Sequence, residues 1–520
     1  MGIAKTIAKN TSFNFVATAS DIAINFVVGI VLARGLGTGQ YGLYSFLFWF
    51  LGLTVIVSRL GLGETAKRFI AEGVGQQDKS MQRSLVQWTL ITGIVFTLLI
   101  SLVVFTFSRF WATVFSHPND QVYFVLLAIM LAPYALNLTM ISIFAGFQKY
   151  EYGAYLTLST NPLRAVLITA AMFLNFGVRE VFLIHMSTSF LGVLVGLFLL
   201  NRIIPLRELV SVKPIESATM KRVIKYALVM TGVMGVNYVL WQQVEVLFLG
   251  LYAPLEQVGF YTLASKIPFT SIMLIPSVLG GVLLPAISEQ FGKGDTYRLR
   301  RIYQTAARYL MMLALPLAAV GIALARPLVQ VLYGTDYAPV VGLMQILFIP
   351  FAMRGIADAA VSVIYGIEKP SFILKTGVVL VSLNIGLSLW LIPRYGAIGA
   401  AIASSAPRLL LMPLYARFAS HKIGAAWPLV DTLKIALASL VVGLVLFFMQ
   451  SYVSPGVALV LAVPVGIGLF FAAAIVLRIV HTQDLQMLQG IKNSLPPAIR
   501  RQYAALVLLV GKLVETKPSL

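Results

Sequence analysis

The chain reads as an all-α polytopic membrane protein of about 14 transmembrane helices: two six-helix lobes from an internal parallel duplication, plus two C-terminal helices. Two observations carry this. First, runs of ~20 apolar residues recur from end to end, each long enough to cross the hydrocarbon as a helix. They belong to a 520-residue chain that is 59% hydrophobic and 11% charged, with a mean hydropathy of +0.89. Second, three short motifs return at nearly constant spacing. Tyr-Gly-Leu-Tyr at Tyr41–Tyr44 is echoed by Val-Gly-Phe-Tyr at Val258–Tyr261, 217 residues on. Gly-Phe-Gln-Lys at Gly146–Lys149 is echoed by Gly-Ile-Glu-Lys at Gly366–Lys369, 220 on. Asn-Phe-Gly at Asn175–Gly177 is echoed by Arg-Tyr-Gly at Arg394–Gly396, 219 on. So regular an offset marks a duplication of about 218 residues.

The first pair of spans is a hairpin. Ser12–Ala33 carries Asp21 and Asn25 at its middle, Arg34–Gly42 is a glycine-rich turn, and Tyr41–Gly63 carries Arg59 four residues before its end. Four more spans follow at Ser84–Phe107, Val122–Gly146, Gly153–Phe176 and Val181–Leu200. The second half supplies Val223–Leu251, Val258–Leu284, Gln304–Ala325, Val341–Tyr365, Phe372–Ile392 and Ala397–Phe418, and a last pair lies at Leu433–Gln450 and Gly456–Val480. The expected domains are therefore an N-lobe (1–201), an inter-lobe loop (202–222), a C-lobe (223–420), spans 13 and 14 (432–480) and a tail (482–520). In the tail, Leu485, Leu488, Ile491 and Leu495 recur at helical spacing beside Lys492, Arg500 and Arg501, as in an amphipathic helix lying on a membrane surface. The first apolar segment is full length and opens the repeat, so it reads as a span and not as a cleaved leader.

Charge sets the orientation. Of the Lys and Arg residues in the loops, termini and span margins, 29 fall on the side of the N-terminus and tail, and 5 on the other. That asymmetry predicts cytoplasmic termini in a cell (inner) membrane, and it accounts for the net charge of +20 without invoking nucleic acid. With no cysteine, disulfides, thiolate metal sites and thiol nucleophiles are excluded. The loops on the opposite side are too short for a catalytic domain, so no enzyme and no cofactor is expected.

Of the ionisable residues within the spans, nine are candidates for an interior role: Asp21, Arg59, Arg164, His185, Glu245, Lys266, Arg354, Asp358 and Arg408. Each costs ~2.5–3.5 kcal/mol on insertion scales, so such residues face a wet cavity or one another. Arg59 is close enough to its span end to snorkel, or else serves the cavity. Arg354 and Asp358, spaced i, i+4, suit a self-neutralising pair. Glu245 lies near the outer end of its span, where water reaches. His185 suits a hydrogen-bonded packing role. Asp21, Arg164 and Lys266 show no obvious charge partner in the neighbouring sequence and point to a cavity. Asn161-Pro162-Leu163-Arg164 and the prolines at Pro268 and Pro276 after Lys266 break one span in each of the matching halves, a feature of midplane binding sites. Basic side chains outnumber acidic ones five to three, which favours an anion such as a pyrophosphate over an organic cation.

Two stretches resemble the signatures of the polysaccharide (O-antigen, Wzx-type) flippases of the multidrug/oligosaccharidyl-lipid/polysaccharide exporter superfamily. They are Asn10–Phe15 with Arg34–Phe46 and Arg59–Glu72, and Leu391–Ser404. The resemblance implies a MATE-like V of two six-helix lobes that opens alternately inward and outward, often with two extra helices. It implies a lipid-linked oligosaccharide substrate on polyprenyl pyrophosphate, moved from the cytoplasmic to the outer leaflet for cell-surface polysaccharide biosynthesis. Related lipid flippases hold the pyrophosphate with basic residues in the first, second and eighth spans. Arg59 and Lys266 match the second and eighth, and the first offers only Asp21 and Asn25. The expected substrate site is thus a cationic cavity of Arg59, Arg164, Lys266, Arg354 and Arg408. Asp21, Glu245 and Asp358 are candidates for coupling to a Na+ or H+ gradient, and Asp21 could equally pair with a basic neighbour. Expected partners are membrane lipids and polysaccharide biosynthesis enzymes around a monomeric transporter. The alternative is a cation-coupled multidrug or small-molecule exporter of the same superfamily. A membrane-embedded glycosyltransferase would need large external loops or an acidic cluster, and neither is visible.

Overall fold

The computed structural model describes residues 3–115, 120–210, 214–241, 243–479 and 484, and among these there is no strand. The helices, in order, are α1 (Ile3–Arg59), α2 (Leu62–Gly75), α3 (Lys79–Thr106), α4 (Ser108–Val114), α5 (Gln121–Gly146), α6 (Tyr150–Phe173) and α7 (Val178–Ile203). The second half follows as α8 (Ser217–Trp241), α9 (Glu245–Tyr252), α10 (Leu255–Gly292), α11 (Thr296–Ala323), α12 (Ala325–Leu332), α13 (Pro339–Gly366) and α14 (Pro370–Ile423), and then α15 (Leu429–Met449) and α16 (Pro455–Val476). Eight described helices are individually long and apolar enough to cross a membrane. Two of them are really pairs: α1 leaves helical geometry at Gly37 (φ 72°) and α14 at Gly396 (φ 53°), conformations that glycine adopts without steric penalty. With α1 and α14 taken as two arms each and α8–α9 as one interrupted passage, the long helices make fourteen passages.

The duplication is visible in local geometry. Helices α3 and α11 are both 28 residues long, and each begins at an aspartate whose side chain accepts a backbone amide: Asp78 from Met81 and Asp295 from Arg298. Such a cap satisfies an otherwise orphaned donor at the helix start. Each helix is followed by a short one, α4 or α12, and the next long helix carries an interior proline, Pro133 or Pro350. The Gly-Phe-Gln-Lys turn and its echo share a left-handed residue, Gln148 (φ 56°) and Glu368 (φ 58°). The Tyr-Gly-Leu-Tyr echo goes further, because its glycines touch. A Cβ on Gly259 would fall 3.1 Å from the Gly42 backbone, and one on Gly42 would fall 2.0 Å from the Leu255 carbonyl oxygen. Only glycine allows backbones this close.

The chain packs as two compact units, one of 1–262 with 377–404, the other of 263–376 with 405–520. The first contains all of α1–α9, the start of α10 and the middle of α14. Its largest described core joins Phe69, Ile70, Leu85, Met140, Ile143, Phe144, Leu200 and Val223. In the second unit α15 packs on α11, with Met311, Ile435 and Ala438 buried in one cluster and Ala323, Val442, Leu446 and Ala462 in another. The outward faces are apolar. Leu98, Leu99 and Leu102 on α3, and Val460, Val463 and Ile467 on α16, are largely exposed. In a water-soluble protein such stripes would be a liability; facing lipid they incur no cost. The predicted amphipathic tail falls almost wholly outside the described residues.

Gly42→Ala is expected to destabilise the protein by about 1–3 kcal/mol through overpacking. Gly232→Ala, which meets nothing within 4 Å on α8, serves as the control and leaves the melting temperature unchanged or slightly raised. Thermal unfolding in detergent distinguishes them, and equal melting of the two variants would contradict the close crossing.

Candidate functional site

Within the first unit, α1, α2, α5, α6 and α7 surround a cavity of about 560 Å³. Its walls follow from helical periodicity. On α5 the lining residues are Tyr134, Asn137, Leu138, Ile141, Ser142 and Ala145, a stripe with steps of three and four. On α6 the same rule brings Tyr150, Gly153, Thr157, Thr160, Asn161 and Arg164 inward. Asp21 and Asn25, one turn apart, enter from the first arm of α1, and Thr188 and Ser189 enter from α7. Hydroxyls and amides dominate this lining, in the middle of helices whose outer faces are apolar.

The charges are arranged unevenly. Asp21 Oδ1 accepts from Asn25 Nδ2 at 2.8 Å and from Asn161 Nδ2 at 2.6 Å, so its charge is spread over two amide donors on two helices. Glu64 and Lys67, roughly half exposed, pair with each other at 3.9 Å at the α2 end. Arg164 has no hydrogen bond or ion pair among the described residues, although its field reaches Asp21, Tyr44, Tyr134 and His185. The lining thus carries two acids and two bases and is not cationic by count. Three of those charges are already compensated, and Arg164 keeps a planar fork of donors for an anion.

Arg59 does not snorkel. Its Nη2 donates to the Leu138 carbonyl oxygen at 3.1 Å and to Ser142 Oγ at 3.2 Å, bracing the α5 wall from behind. It is not one of the cavity's lining residues. The left-handed pair Leu60–Gly61 ends α1 just beyond it and holds the guanidinium against α5. His185 is buried against Phe48 (ring centroids 4.7 Å apart), with Tyr44 Oη 3.4 Å from its Nε2.

Glu245 is not wet, contrary to the expectation from its place near a span end: it is fully buried. The interruption between α8 and α9 turns its carboxylate inward, where Oε1 accepts from Asn384 Nδ2 at 2.8 Å and Oε2 accepts from Tyr261 Oη at 3.0 Å. Lys266, Asp358 and Arg408 belong to the second unit, Arg408 buried and the other two partly so. The Arg354 side chain lies outside the described residues, and with it the expected Arg354–Asp358 pair. Of the predicted site residues, the cavity brings together Asp21 and Arg164, with Arg59 one contact behind.

The family model described as "Polysaccharide biosynthesis protein" matches residues 7–291, more than half of the chain and all of the cavity. The chain belongs to that family. A second model, MatE, matches residues 231–390. A probable low-salt glycan biosynthesis flippase of Haloferax volcanii is 21% identical over 94% of this chain and 97% of its own length. A Methanocaldococcus jannaschii membrane protein of uncharacterised function is 21% identical over 78% of this chain and 82% of its own. Among solved structures, the lipid II flippase MurJ in an inward closed conformation superposes with a TM-score of 0.72, at 17% identity, covering 89% of this chain and 98% of that one. An inward-facing multidrug resistance MATE transporter gives 0.65 at 16% identity, covering 78% and 94%. At these identities the structures establish a shared fold.

Family membership leaves the cavity's chemistry to its own residues, several of which sequence reasoning missed: Tyr134, Asn137, Ser142, Glu64 and Lys67. A usable signal was present in the stripe of polar residues along α5 and α6. Arg164→Ala is expected to shift stability by no more than about 0.5 kcal/mol, since no described partner is lost. Arg59→Ala, by contrast, loses two charge-assisted hydrogen bonds, to the Leu138 carbonyl and to Ser142, which stay bonded to each other, and costs about 1–3 kcal/mol. Melting of the two purified variants in detergent is the check, and a reversed order would overturn the assignment of Arg59 as brace.

Proposed function

We propose that this protein is a flippase that carries polyprenyl-pyrophosphate-linked oligosaccharide from the cytoplasmic to the outer leaflet for cell-surface polysaccharide biosynthesis. The carrying observation is Arg164, a guanidinium with no hydrogen bond or ion pair among the described residues, inside a polar cavity within a membrane helix bundle. A doubly charged pyrophosphate supplies the anion that such a group lacks, and the surrounding amides and hydroxyls suit sugar hydroxyls. Family membership and the glycan flippase among the relatives support the same reading. The polyprenyl tail stays in the bilayer while the head group passes, by alternating access, through the polar interior. Lys266 in the eighth span is proposed as a second pyrophosphate contact, with Arg354 and Arg408 as further cations on the path. The 29-to-5 distribution of basic residues supports cytoplasmic termini and hence the direction of transport.

Coupling to a Na+ or H+ gradient is assigned to buried carboxylates, with Glu245 first, because its described partners, Asn384 and Tyr261, are neutral donors. Asp21 and Asp358 are the remaining candidates. The second reading, a cation-coupled exporter of small molecules, is favoured by one specific feature: the MatE match over residues 231–390.

Flipping of a fluorescent polyprenyl-pyrophosphate oligosaccharide in proteoliposomes tests the proposal. The natural chain is expected to flip it, with Arg164→Ala and Lys266→Ala each slowed about tenfold or more, roughly 1.4 kcal/mol of lost interaction. Arg164→Lys, keeping charge but not the fork, should fall between. Failure of the natural chain on a range of such lipids, together with transport of organic cations, would favour the exporter. In the same liposomes, Glu245→Gln is expected to flip at a rate independent of an imposed Na+ or H+ gradient. A gradient response that survives in Glu245→Gln, Asp21→Asn and Asp358→Asn would remove all three from coupling.

A further inference from the structure

The cavity has a direction. On α5 its lining starts at Tyr134, near the middle of the helix, and ends at Ala145. On α6 it starts at Tyr150, the first residue, and ends at Arg164, about 21 Å along the helix at ~1.5 Å per residue. Glu64 and Lys67, in the opening turns of α2, stand at the Ala145–Tyr150 end and are roughly half exposed. There α2 packs on the end of α5, so that a Cβ on Gly146 would lie 2.9 Å from Ile70. That end is the mouth, on the side proposed as cytoplasmic. Arg164, Tyr134 and Phe48, the last from the second arm of α1, line the inner end.

From the inner end outward the chemistry changes in order. Arg164 comes first. Beside it Phe48 and Tyr134 meet edge-to-face, with ring centroids 6.4 Å apart and planes at 84°. The Arg164 charge reaches Tyr134, whose hydroxyl has no hydrogen bond among the described residues. Behind Phe48, outside the lining, Tyr44 and His185 pack on its ring at 5.3 and 4.7 Å between centroids. Tyr44 Oη lies 3.4 Å from His185 Nε2, so a linked pair backs the ring and fixes its plane. Toward the mouth come amides and hydroxyls, Asn137 and Ser142 on α5 with Thr157 and Thr160 on α6. Last stand Glu64 and Lys67, which neutralise one another. A pyranose ring is apolar on its C–H face and polar around its rim, so an aromatic surface with hydrogen-bonding groups beside it suits one. A lipid-linked oligosaccharide presents its groups in the same order: pyrophosphate, first sugar, further sugars.

We propose that Phe48 and Tyr134 form the seat of the first sugar, the one bonded to the pyrophosphate. Arg164 holds the pyrophosphate, the aromatic corner takes the C–H face of the adjoining pyranose, and the later sugars extend toward Glu64 and Lys67. The proposal rests on the flippase reading of this cavity and adds which ring of the glycan is recognised, and by which side chains.

Binding of two probes to the full-length protein in nanodiscs tests the seat: a short-chain polyprenyl pyrophosphate, and the same lipid bearing one N-acetylglucosamine. The natural chain is expected to bind the sugar-bearing lipid about tenfold more tightly than the bare one. Phe48→Leu and Tyr134→Leu are each expected to cut that preference to about twofold or less, and Tyr134→Phe, which keeps the ring, to retain most of it. Arg164→Ala is expected to weaken both lipids alike. Tyr134→Leu leaves the block behind Phe48 in place, so it decides the matter if Phe48→Leu does not fold. A preference that survives in the leucine variants overturns the seat, and so does an equal loss of both lipids in them. Equal affinity of the natural chain for the two lipids overturns the seat and leaves the flippase reading standing. A natural chain that binds neither lipid overturns the flippase reading, and the seat with it.

Discussion

Polar groups inside hydrocarbon have no water to turn to, and that constraint governs this molecule. Backbone amides respond by forming helices throughout. Side chains respond by meeting one another in the interior, as Asp21 does with Asn25 and Asn161, and Glu245 with Tyr261 and Asn384. The Asp21–Asn161 and Glu245–Asn384 contacts tie helices that are distant in the chain, so satisfying a polar side chain also sets helix packing. Arg164 is the exception among the cavity's charges. Its donors stay open to the cavity, where an anionic ligand is proposed to bind.

Duplication explains much of the remaining architecture. Matched caps, matched prolines and matched left-handed turns repeat because each half solves the same folding problem with the same local chemistry. The halves nevertheless diverge where function differs. A cavity lined by amides and hydroxyls lies in the first half. The interruption before Glu245 belongs to the second and has no equivalent break in the first arm of α1. Gly42 and Gly259 show why the duplicated motif is kept on both sides: a close crossing needs glycine on both backbones, so each copy constrains the other.

Arg59 and Glu245 illustrate where reading along the chain falls short. Arg59 stands four residues from a span end, a position equally suited to snorkelling and to an inward turn, and the left-handed Leu60–Gly61 pair resolves it inward. Glu245 stands near a span end by hydropathy, yet the helix is interrupted there and its side chain is carried into the core. In both cases backbone conformation over two or three residues overrides the average over twenty.

Composition and spacing by themselves determined that the chain is a helical membrane protein, how many times it crosses, that it is an internal duplicate, and which residues are costly enough to need an interior. These are properties of apolar run length and repeat offset, which need no knowledge of neighbours. Tertiary structure alone decided which of those residues meet. In a membrane the lipid-facing and protein-facing sides of a helix are both apolar, so hydropathy barely reports how each helix is rotated about its axis. That rotation is what brings Asn161 to Asp21 across 140 residues, turns Arg59 onto α5, and leaves Arg164 facing open space.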